Sequence, residues 1–350
     1  MRRKNNLKKE GALYFSGKER TMLNMLLHNG RTFNTNIARK LKISSQVTGR
    51  IRKKLEKEGV IKDYSLRLDH YFLDISVFVL TSFNMKGFHE DKLMSENLIC
   101  LYKVLADSVT HIGLYAFKSL EESNDYFNSF IEHSDHIKII NLHISPIEGL
   151  IKYCPRNLFY NAIKKFEGEH AFHIASRSFY DIEKKKIKLR DLSLSEKSVL
   201  RALVKNSIIS CKKISSNLNN IKITRTGVNR IKNRLENRNI IKEYNVNLDY
   251  ERLGINVLAF IFISQKPDSL QHKEDLIKRV YNSPCIVGCF KSNDGIALFC
   301  GFKNLNKLED WCDVLRSKCK DLIEVKHVHI ISPRGVIKES FVDLYLSLLN

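Results

Sequence analysis

Residues 50–69 read RIRKKLEKEGVIKDYSLRLD, and residues 230–249 read RIKNRLENRNIIKEYNVNLD. Aligned without gaps, nine of the twenty positions are identical: Arg50/Arg230, Ile51/Ile231, Leu55/Leu235, Glu56/Glu236, Ile61/Ile241, Lys62/Lys242, Tyr64/Tyr244, Leu68/Leu248 and Asp69/Asp249. In both copies the apolar spacing is helical at first and then extended, so one helix-to-strand passage is written twice. Upstream, SGKERTMLNMLL (16–27) aligns with SLSEKSVLRALV (193–204). Downstream, SPIEGLIK (145–152) aligns with SPRGVIK (332–338). The offset drifts from 177 to 180 to 187 residues, which small insertions explain. Two units of roughly 150 residues in tandem are therefore expected.

Each unit opens with three short helical patterns. In the first they fall at 17–28, 34–41 and 45–58, with the second and third separated by KIS (42–44). Two short helices joined by a tight turn form a helix-turn-helix, and Ser44 stands where its hydroxyl can cap the third helix. With Val47, Ile51 and Leu55 directed inward, the outer face of that helix carries Ser45, Gly49, Arg52 and Glu56, flanked by Gln46, Arg50 and Lys53. Hydroxyl, amide and guanidinium groups at the N-terminal end of such a helix are the chemistry that reads base edges and holds phosphates. The second unit presents Thr224, Arg225, Thr226, Asn229, Arg230, Lys232 and Asn233 at the matching places. It also carries three extra residues around NLNNIKI (217–223), which re-aim its helix pair. The extended stretch that follows reads as a wing, from which Lys62 and Arg67 reach toward phosphate.

The rest of each unit changes period. The first gives strand 73–84, helix 88–97, strands 98–106 and 110–118, helix 120–133 and strand 137–145. The second gives strand 254–264, helix 270–282, strands 285–291 and 296–302, helix 304–319 and strand 324–332. The fold class is thus α+β: two tandem units, each a winged helix-turn-helix followed by a βαββαβ ferredoxin-like sandwich. The expected domains are 14–69 and 191–249 for the two readers and 70–152 and 250–350 for the two sandwiches. A helical and charged linker lies between the halves at 153–190, and a C-terminal helix closes the second sandwich.

Lys and Arg number 59 against 38 Asp and Glu, a net charge of +21, which favours a polyanionic partner. The eight cysteines form no C-x-x-C pair, so neither a zinc knuckle nor a disulfide framework is expected. No apolar run is long enough to span a bilayer, and no leader is evident; the expectation is a cytoplasmic protein without membrane contact.

These residues resemble the Lrp/AsnC family of prokaryotic transcriptional regulators. The likeness rests on NGRTFNTNIARKLKIS with RIRKKLEKEGVIKDYSLRLD, on KISSNLNNIKIT with RIKNRLENRNIIKEYNVNLDYERLG, and on the βαββαβ tail. The resemblance implies double-stranded DNA as partner, homo-oligomers, and a ligand-sensing RAM domain that recognises an amino acid or related metabolite near a turn between its second and third strands. In the second unit that turn is SNDGIAL (292–298), which makes Ser292, Asn293, Asp294 and Gly295 the effector-site candidates; an ordinary Asp-Gly hairpin turn is the alternative. The matching turn of the first unit, ADSVTHIG (106–113), lacks that glycine.

The expected function is a sequence-specific DNA-binding transcriptional regulator, with no catalytic residue, metal or cofactor, and the chain is expected not to be an enzyme. Two alternatives stay open. One is a DNA-binding architectural protein without effector. The other is a decarboxylase of haem-precursor tetrapyrroles, an activity found among proteins that resemble this family. Such an enzyme would want His and Arg in an apolar cleft, and His133/His136, His170/His173 and His327/His329 are the pairs available.

Overall fold

Ser16 and Ser193 open the two halves with the same device. In the computed structural model each serine hydroxyl accepts the N–H three residues on, and the carboxylate of Glu19 or Glu196 accepts the N–H and hydroxyl of its serine in return. The structure describes residues 14–87, 90–105, 108–132, 136–146, 150–153, 156–164, 187–218, 221–266, 283–292, 295–319 and 323–349.

In the first half, α1 (Gly17–His28), α2 (Asn34–Leu41) and α3 (Ser45–Lys57) lead into the wing strand β1 (Ile61–Leu68). Then come β2 (Val77–Met85), the single turn α4 (Glu90–Leu93), β3 (Leu98–Val104), β4 (His111–Phe117), α5 (Leu120–Glu132), β5 (Ile137–Pro146), β6 (Leu150–Tyr153) and α6 (Arg156–Lys164). In the second half, α7 (Leu194–Lys205), α8 (Cys211–Asn217), α9 (Arg225–Asn237) and β7 (Ile241–Leu248) precede β8 (Val257–Gln265), β9 (Ile286–Lys291) and β10 (Ile296–Phe302). The chain ends in α10 (Leu305–Cys319), β11 (Ile323–Glu339) and α11 (Val342–Leu349).

The fold class expected from the sequence is the one observed. Each half contributes four antiparallel strands in ferredoxin-like order, β5-β2-β4-β3 and β11-β8-β10-β9. The expected helix 88–97 is only the turn α4, and the expected helix 270–282 lies outside the described residues, as do His133, His170 and His173.

Both four-stranded sheets are completed by the other half. The end of β11 leaves β8 after Ile331 and pairs Val336, Lys338 and Glu339 with Tyr102, Leu101 and Cys100 of β3. Reciprocally, β6 pairs Leu150, Lys152 and Tyr153 with Phe290, Cys289 and Gly288 of β9. The last strand therefore runs seven residues beyond the expected limit of 332. Pro333, without an N–H, sits in the unpaired step between Ile331 and Val336.

The sheets face one another across an apolar layer. Tyr102, Phe260 and Phe299 form its aromatic centre, with ring centroids 5.4, 4.8 and 4.7 Å apart, and all three are fully buried. Burying each such ring stabilises by about 2–3 kcal/mol before conformational entropy is subtracted. The same buried cluster continues into the helical trios through Leu23, Leu26, Leu55, Leu200 and Leu235. The outer sheet faces carry separate clusters beneath α5 and α10.

The wings pair with each other. β1 and β7 form a two-stranded antiparallel sheet in which Ile61 faces Leu248 and Leu68 faces Ile241. Its contacts recur with the halves exchanged: Asp69 N–H donates to Ile240 O and Asp249 N–H to Val60 O, each at 2.9–3.0 Å. Lys62 meets Asp249 at 3.2 Å and Lys242 meets Asp69 at 2.9 Å. Two terminal helices brace this arrangement: α6 packs on α1 and β9, and α11 on α7 and β3. From α11, the Tyr345 hydroxyl accepts Leu68 N–H at 3.3 Å and pairs with His70 Nε2 at 3.2 Å. Complete burial, with Arg67 and Lys242 nearby, drives the His70 pKa down to about 3, so its ring is neutral.

The two first-helix carboxylates also hold the third helices. Lys54 reaches Glu19 at 2.6 Å, and Arg234 and Arg238 reach Glu196 at 3.2 and 3.9 Å. Burial alone raises both carboxyls; hydrogen bonds from Lys54 and Ser16 outweigh it at Glu19, and those from Ser193 with the two arginines outweigh it at Glu196, leaving both below 4.5. A carboxyl depressed in the folded state stabilises above its unfolded value and loses that contribution as pH falls. Stability is therefore expected to decline in acid below about pH 4.5. A Glu19→Gln/Glu196→Gln protein should be less stable at neutral pH and show a flatter decline, measured by thermal melts across an acid series.

Candidate nucleic-acid interface

The third helix of each trio starts from an engaged cap. Ser44 Oγ accepts Val47 N–H at 3.2 Å and Thr224 Oγ1 accepts Gly227 N–H at 3.1 Å, so these two hydroxyls hold helix ends. The preceding turn in the first half needs Lys42 in the left-handed conformation, at φ 53°.

The inward face of α3 differs from the expected one. Thr48 is fully buried and Val47 is 37% exposed. Thr48 can occupy the interior because its hydroxyl donates to Ser44 O at 3.0 Å. The equivalent Val228 is buried as a plain apolar residue.

Arg52 is not on the open face. Its Nε donates to Tyr64 Oη at 2.8 Å, Nη1 to Thr32 O and Asn34 Oδ1 at 3.3 and 3.2 Å, and Nη2 to Gly30 O at 3.1 Å. The guanidinium also stacks 4.8 Å from the centre of the Tyr64 ring. Tyr64 in turn donates to Glu56 Oε1 at 2.8 Å. In the second half Tyr244 donates to Glu236 at 2.7 Å, and Lys232 sits 2.9 Å from the same carboxylate. Burial pushes both phenols above their usual pKa, so they stay protonated donors. Arg52 and Lys232 thus fasten helix to wing, with both side chains largely withdrawn from solvent.

What remains exposed is coherent. Ser45, Gln46, Val47, Arg50 and Lys53 line the open face of α3; Arg225, Thr226, Asn229, Arg230 and Asn233 line that of α9. Arg50 and Arg230, at equivalent positions, meet no hydrogen-bond or ionic partner among the described residues. Gly49 is half-buried, and a β-carbon there would stand 3.4 Å from Asn34 Nδ2, an ordinary contact. Val47 is the member of this set that sequence reasoning placed inside.

The wing cations are engaged elsewhere. Besides the Lys62 and Lys242 pairs, Arg67 lies 3.5 Å and Arg156 3.2 Å from Glu243. The expectation that Lys62 and Arg67 reach phosphate is therefore not met: pairing of the two wings neutralises both.

At the expected effector turn, Ser292 N–H donates to Gly295 O at 2.9 Å, closing a tight hairpin; Asn293 and Asp294 lie outside the described residues. Gly295 has φ 154°, and a β-carbon there would collide with Ile263 O, so the close approach of β8 accounts for this glycine. Another aromatic and imidazole cluster runs from buried Phe262 and His329 out to exposed His327. The His143 ring stacks on Phe262 at 4.7 Å, Phe262 meets His329 edge-on at 5.6 Å, and His327 stacks on His329 at 5.9 Å. Among the described residues no helix is long and apolar enough to cross a membrane.

A family model described as a winged helix-turn-helix DNA-binding domain matches residues 16–62. No curated protein matches the sequence. Among solved structures, the siroheme decarboxylase NirDL covers 95% of this chain and 98% of its own length, at 9% identity and a TM-score of 0.55. The same enzyme in co-complex with an iron-uroporphyrin III analogue covers 94% and 96%, at 8% identity and a TM-score of 0.56. B. subtilis LrpC covers 40% of this chain and 94% of its own, at 20% identity and a TM-score of 0.33.

The long alignments show a shared fold. They also overturn the expectation that the chain is not an enzyme, because the structures that match it from end to end are those of an enzyme.

The two arginines of α3 should separate in experiment. Arg50→Ala is expected to leave the melting temperature within about 1 °C of the unsubstituted protein, as an exposed position away from packing allows. Arg52→Ala, which abandons buried carbonyl acceptors, should cost about 1–3 kcal/mol. Chemical denaturation of the two variants side by side checks this.

Proposed function

We propose that this chain is a sequence-specific DNA-binding transcriptional regulator, built as a tandem duplication of one reader-plus-sandwich unit. The domain limits that fit this reading are 14–69 and 191–249 for the readers, 70–152 and 250–350 for the sandwiches, and 153–190 for the linker. One observation carries it: α3 and α9 expose equivalent N-terminal faces on which Arg50 and Arg230 stand without a partner among the described residues, flanked by short polar side chains. A solvated surface helix needs no such combination of cap, short side chains and bare guanidinium, whereas a helix entering a major groove does. The match of residues 16–62 to a DNA-binding family model and the net charge of +21 support it.

In this reading Ser45, Gln46, Arg50, Lys53, Arg225, Thr226, Asn229, Arg230 and Asn233 face DNA. Ser44 and Thr224 cap the reading helices, and Arg52 and Lys232 position them. A small metabolite such as an amino acid acts at the 292–295 turn, and association of chains extends the assembly.

A second reading has its own support. A chain that shares its fold over its whole length with a siroheme decarboxylase, and sets His143 and His329 against Phe262 with exposed His327 beside His329, fits an enzyme acting on a carboxylate-bearing tetrapyrrole. Imidazoles and an aromatic face would hold a flat, acidic macrocycle there.

Two titrations on one preparation decide between them. Fluorescence anisotropy with labelled duplex should show binding that weakens by about 10³-fold or more between 50 and 200 mM salt, if six or more phosphates are contacted. The Arg50→Ala/Arg230→Ala protein should lose that binding. Absorbance with iron uroporphyrin III reads the second site: a saturable spectral change carries the enzyme reading, and in the absence of salt-dependent duplex binding it would establish that reading instead.

A further inference from the structure

We infer that one copy of this chain reads an asymmetric DNA site, its two halves recognising unlike base sequences. The inference rests on the proposed DNA binding and adds to it the form of the site and the residues that set it.

The first ground is that the two readers are held in one arrangement. The wing pairing joins them through main-chain hydrogen bonds, two reciprocal ion pairs and the Asn247–Asp63 hydrogen bond. Beyond the wings, Gly30 N–H donates to Tyr244 O at 2.8 Å. The Arg31 guanidinium bridges Ser207 O and Ile209 O of the second half at 2.6 and 2.7 Å. A β-carbon on Gly30 would collide with Asn245 O, so the first reader's turn lies directly on the second wing. A reader held this way does not exchange partners, and both belong to the same molecule.

The second ground is chemical. In separate identical subunits two such helices would carry the same side chains and favour an inverted repeat. Here the exposed faces agree at one position, Arg50/Arg230, and differ in chemical class at five: Ser45/Arg225, Gln46/Thr226, Val47/Gly227, Gly49/Asn229 and Lys53/Asn233. The α3 face offers an amide suited to adenine and, through exposed Val47, an apolar contact suited to the thymine methyl. The α9 face offers Arg225 for guanine and Asn229 for adenine, with nothing apolar at 227. No inverted repeat satisfies both sets.

The third ground is that the differences sit where they can change freely. Three pairs that hold the helices, Leu55/Leu235, Glu56/Glu236 and Tyr64/Tyr244, are identical, and where other holding pairs differ, as Ser44/Thr224 and Arg52/Lys232 do, they keep their chemical class; the five differing pairs are exposed or half-buried. Packing therefore does not explain the divergence.

The test is selection of duplexes from a random pool by the full chain, followed by the same selection with a reader-swap protein, Ser45→Arg/Gln46→Thr/Val47→Gly/Gly49→Asn/Lys53→Asn. The native protein should select a site whose halves are not inverted repeats, at one chain per duplex by native mass spectrometry. The swap protein should shift selection toward an inverted repeat of the α9 half-site and bind the native site about 10-fold or more weakly, the scale of one good bidentate contact. If the five-fold variant does not fold, the reciprocal Arg225→Ser/Asn229→Gly protein, scored for altered preference only in the α9 half, answers the same question. An inverted repeat selected by the native chain, or an unchanged consensus from both variants, overturns the inference while leaving DNA binding intact. Failure to enrich any duplex overturns DNA binding itself.

Discussion

Pairing of β1 with β7 is the contact on which the rest of the molecule depends. An isolated wing would leave a row of unsatisfied backbone groups at an open edge, together with Lys62, Arg67 and Lys242. Laid against each other, the two wings satisfy those backbone groups, and the cations find Asp249, Glu243 and Asp69. The chain thereby closes an edge and removes the wings from the surface. The helix faces keep exposed cations, among them Arg50 and Arg230, that no wing contact engages. The same pairing brings Gly30 against Asn245 and Arg31 against the 207–209 turn, so reader position follows from wing position.

The sandwich repeats this logic at a larger scale. Each half completes the other's sheet, β6 on β9 and the end of β11 on β3, and each sends a terminal helix back onto a helical trio, α6 onto α1 and α11 onto α7. Tyr345 shows how closely the parts are joined: one residue of the last helix caps an N–H of the first wing and contacts a buried histidine behind it. Because one apolar cluster runs from the inter-sheet layer into both trios, readers and sandwich share a core rather than meeting at a polar seam. A rearrangement of Tyr102, Phe260 or Phe299 would therefore be felt in the helices, since close-packed interiors transmit strain.

Much of this can be read from residues alone. The doubled stretch, the capping serines, the three helices of each trio and the strand order all follow from local pattern, and local pattern is what sequence displays. The departures have a common cause. Thr48 looks polar and Val47 apolar, so the pattern phases the helix one residue off; the acceptor that lets Thr48 be buried is a carbonyl four residues away. Arg52 looks like a solvated cation, yet its acceptors at Gly30, Thr32 and Asn34 come from a turn about twenty residues earlier. Lys62 and Arg67 look like a phosphate-binding wing, yet their partners sit more than 170 residues later. Pro333 looks like a strand end, but the strand resumes once it has changed partners. In each case the outcome is set by a partner, near as for Thr48 or far as for Arg52, Lys62 and Arg67, that neither periodicity nor spacing encodes. The expectation about enzymatic activity fails differently: it rests on the recognition helices, and those say nothing about the space between the sheets.

That separation bears on how the scaffold is used. DNA reading draws on the outer tips of α3 and α9, where the two halves diverge and the side chains are exposed. A tetrapyrrole reading draws on His143, Phe262, His327 and His329, of which Phe262 and His329 are buried and His327 is exposed. No side chain belongs to both sets. A fold that keeps Glu56/Glu236 and Tyr64/Tyr244 in place in both halves can therefore change one surface without disturbing the other. Selection on DNA contact would act on the five differing positions at the helix tips, whereas selection on a cleft between the sheets would leave those tips unconstrained. The feature that tells these apart is Arg50/Arg230: the one identical pair on an otherwise divergent face, exposed, without a partner among the described residues, and with no part in holding the fold.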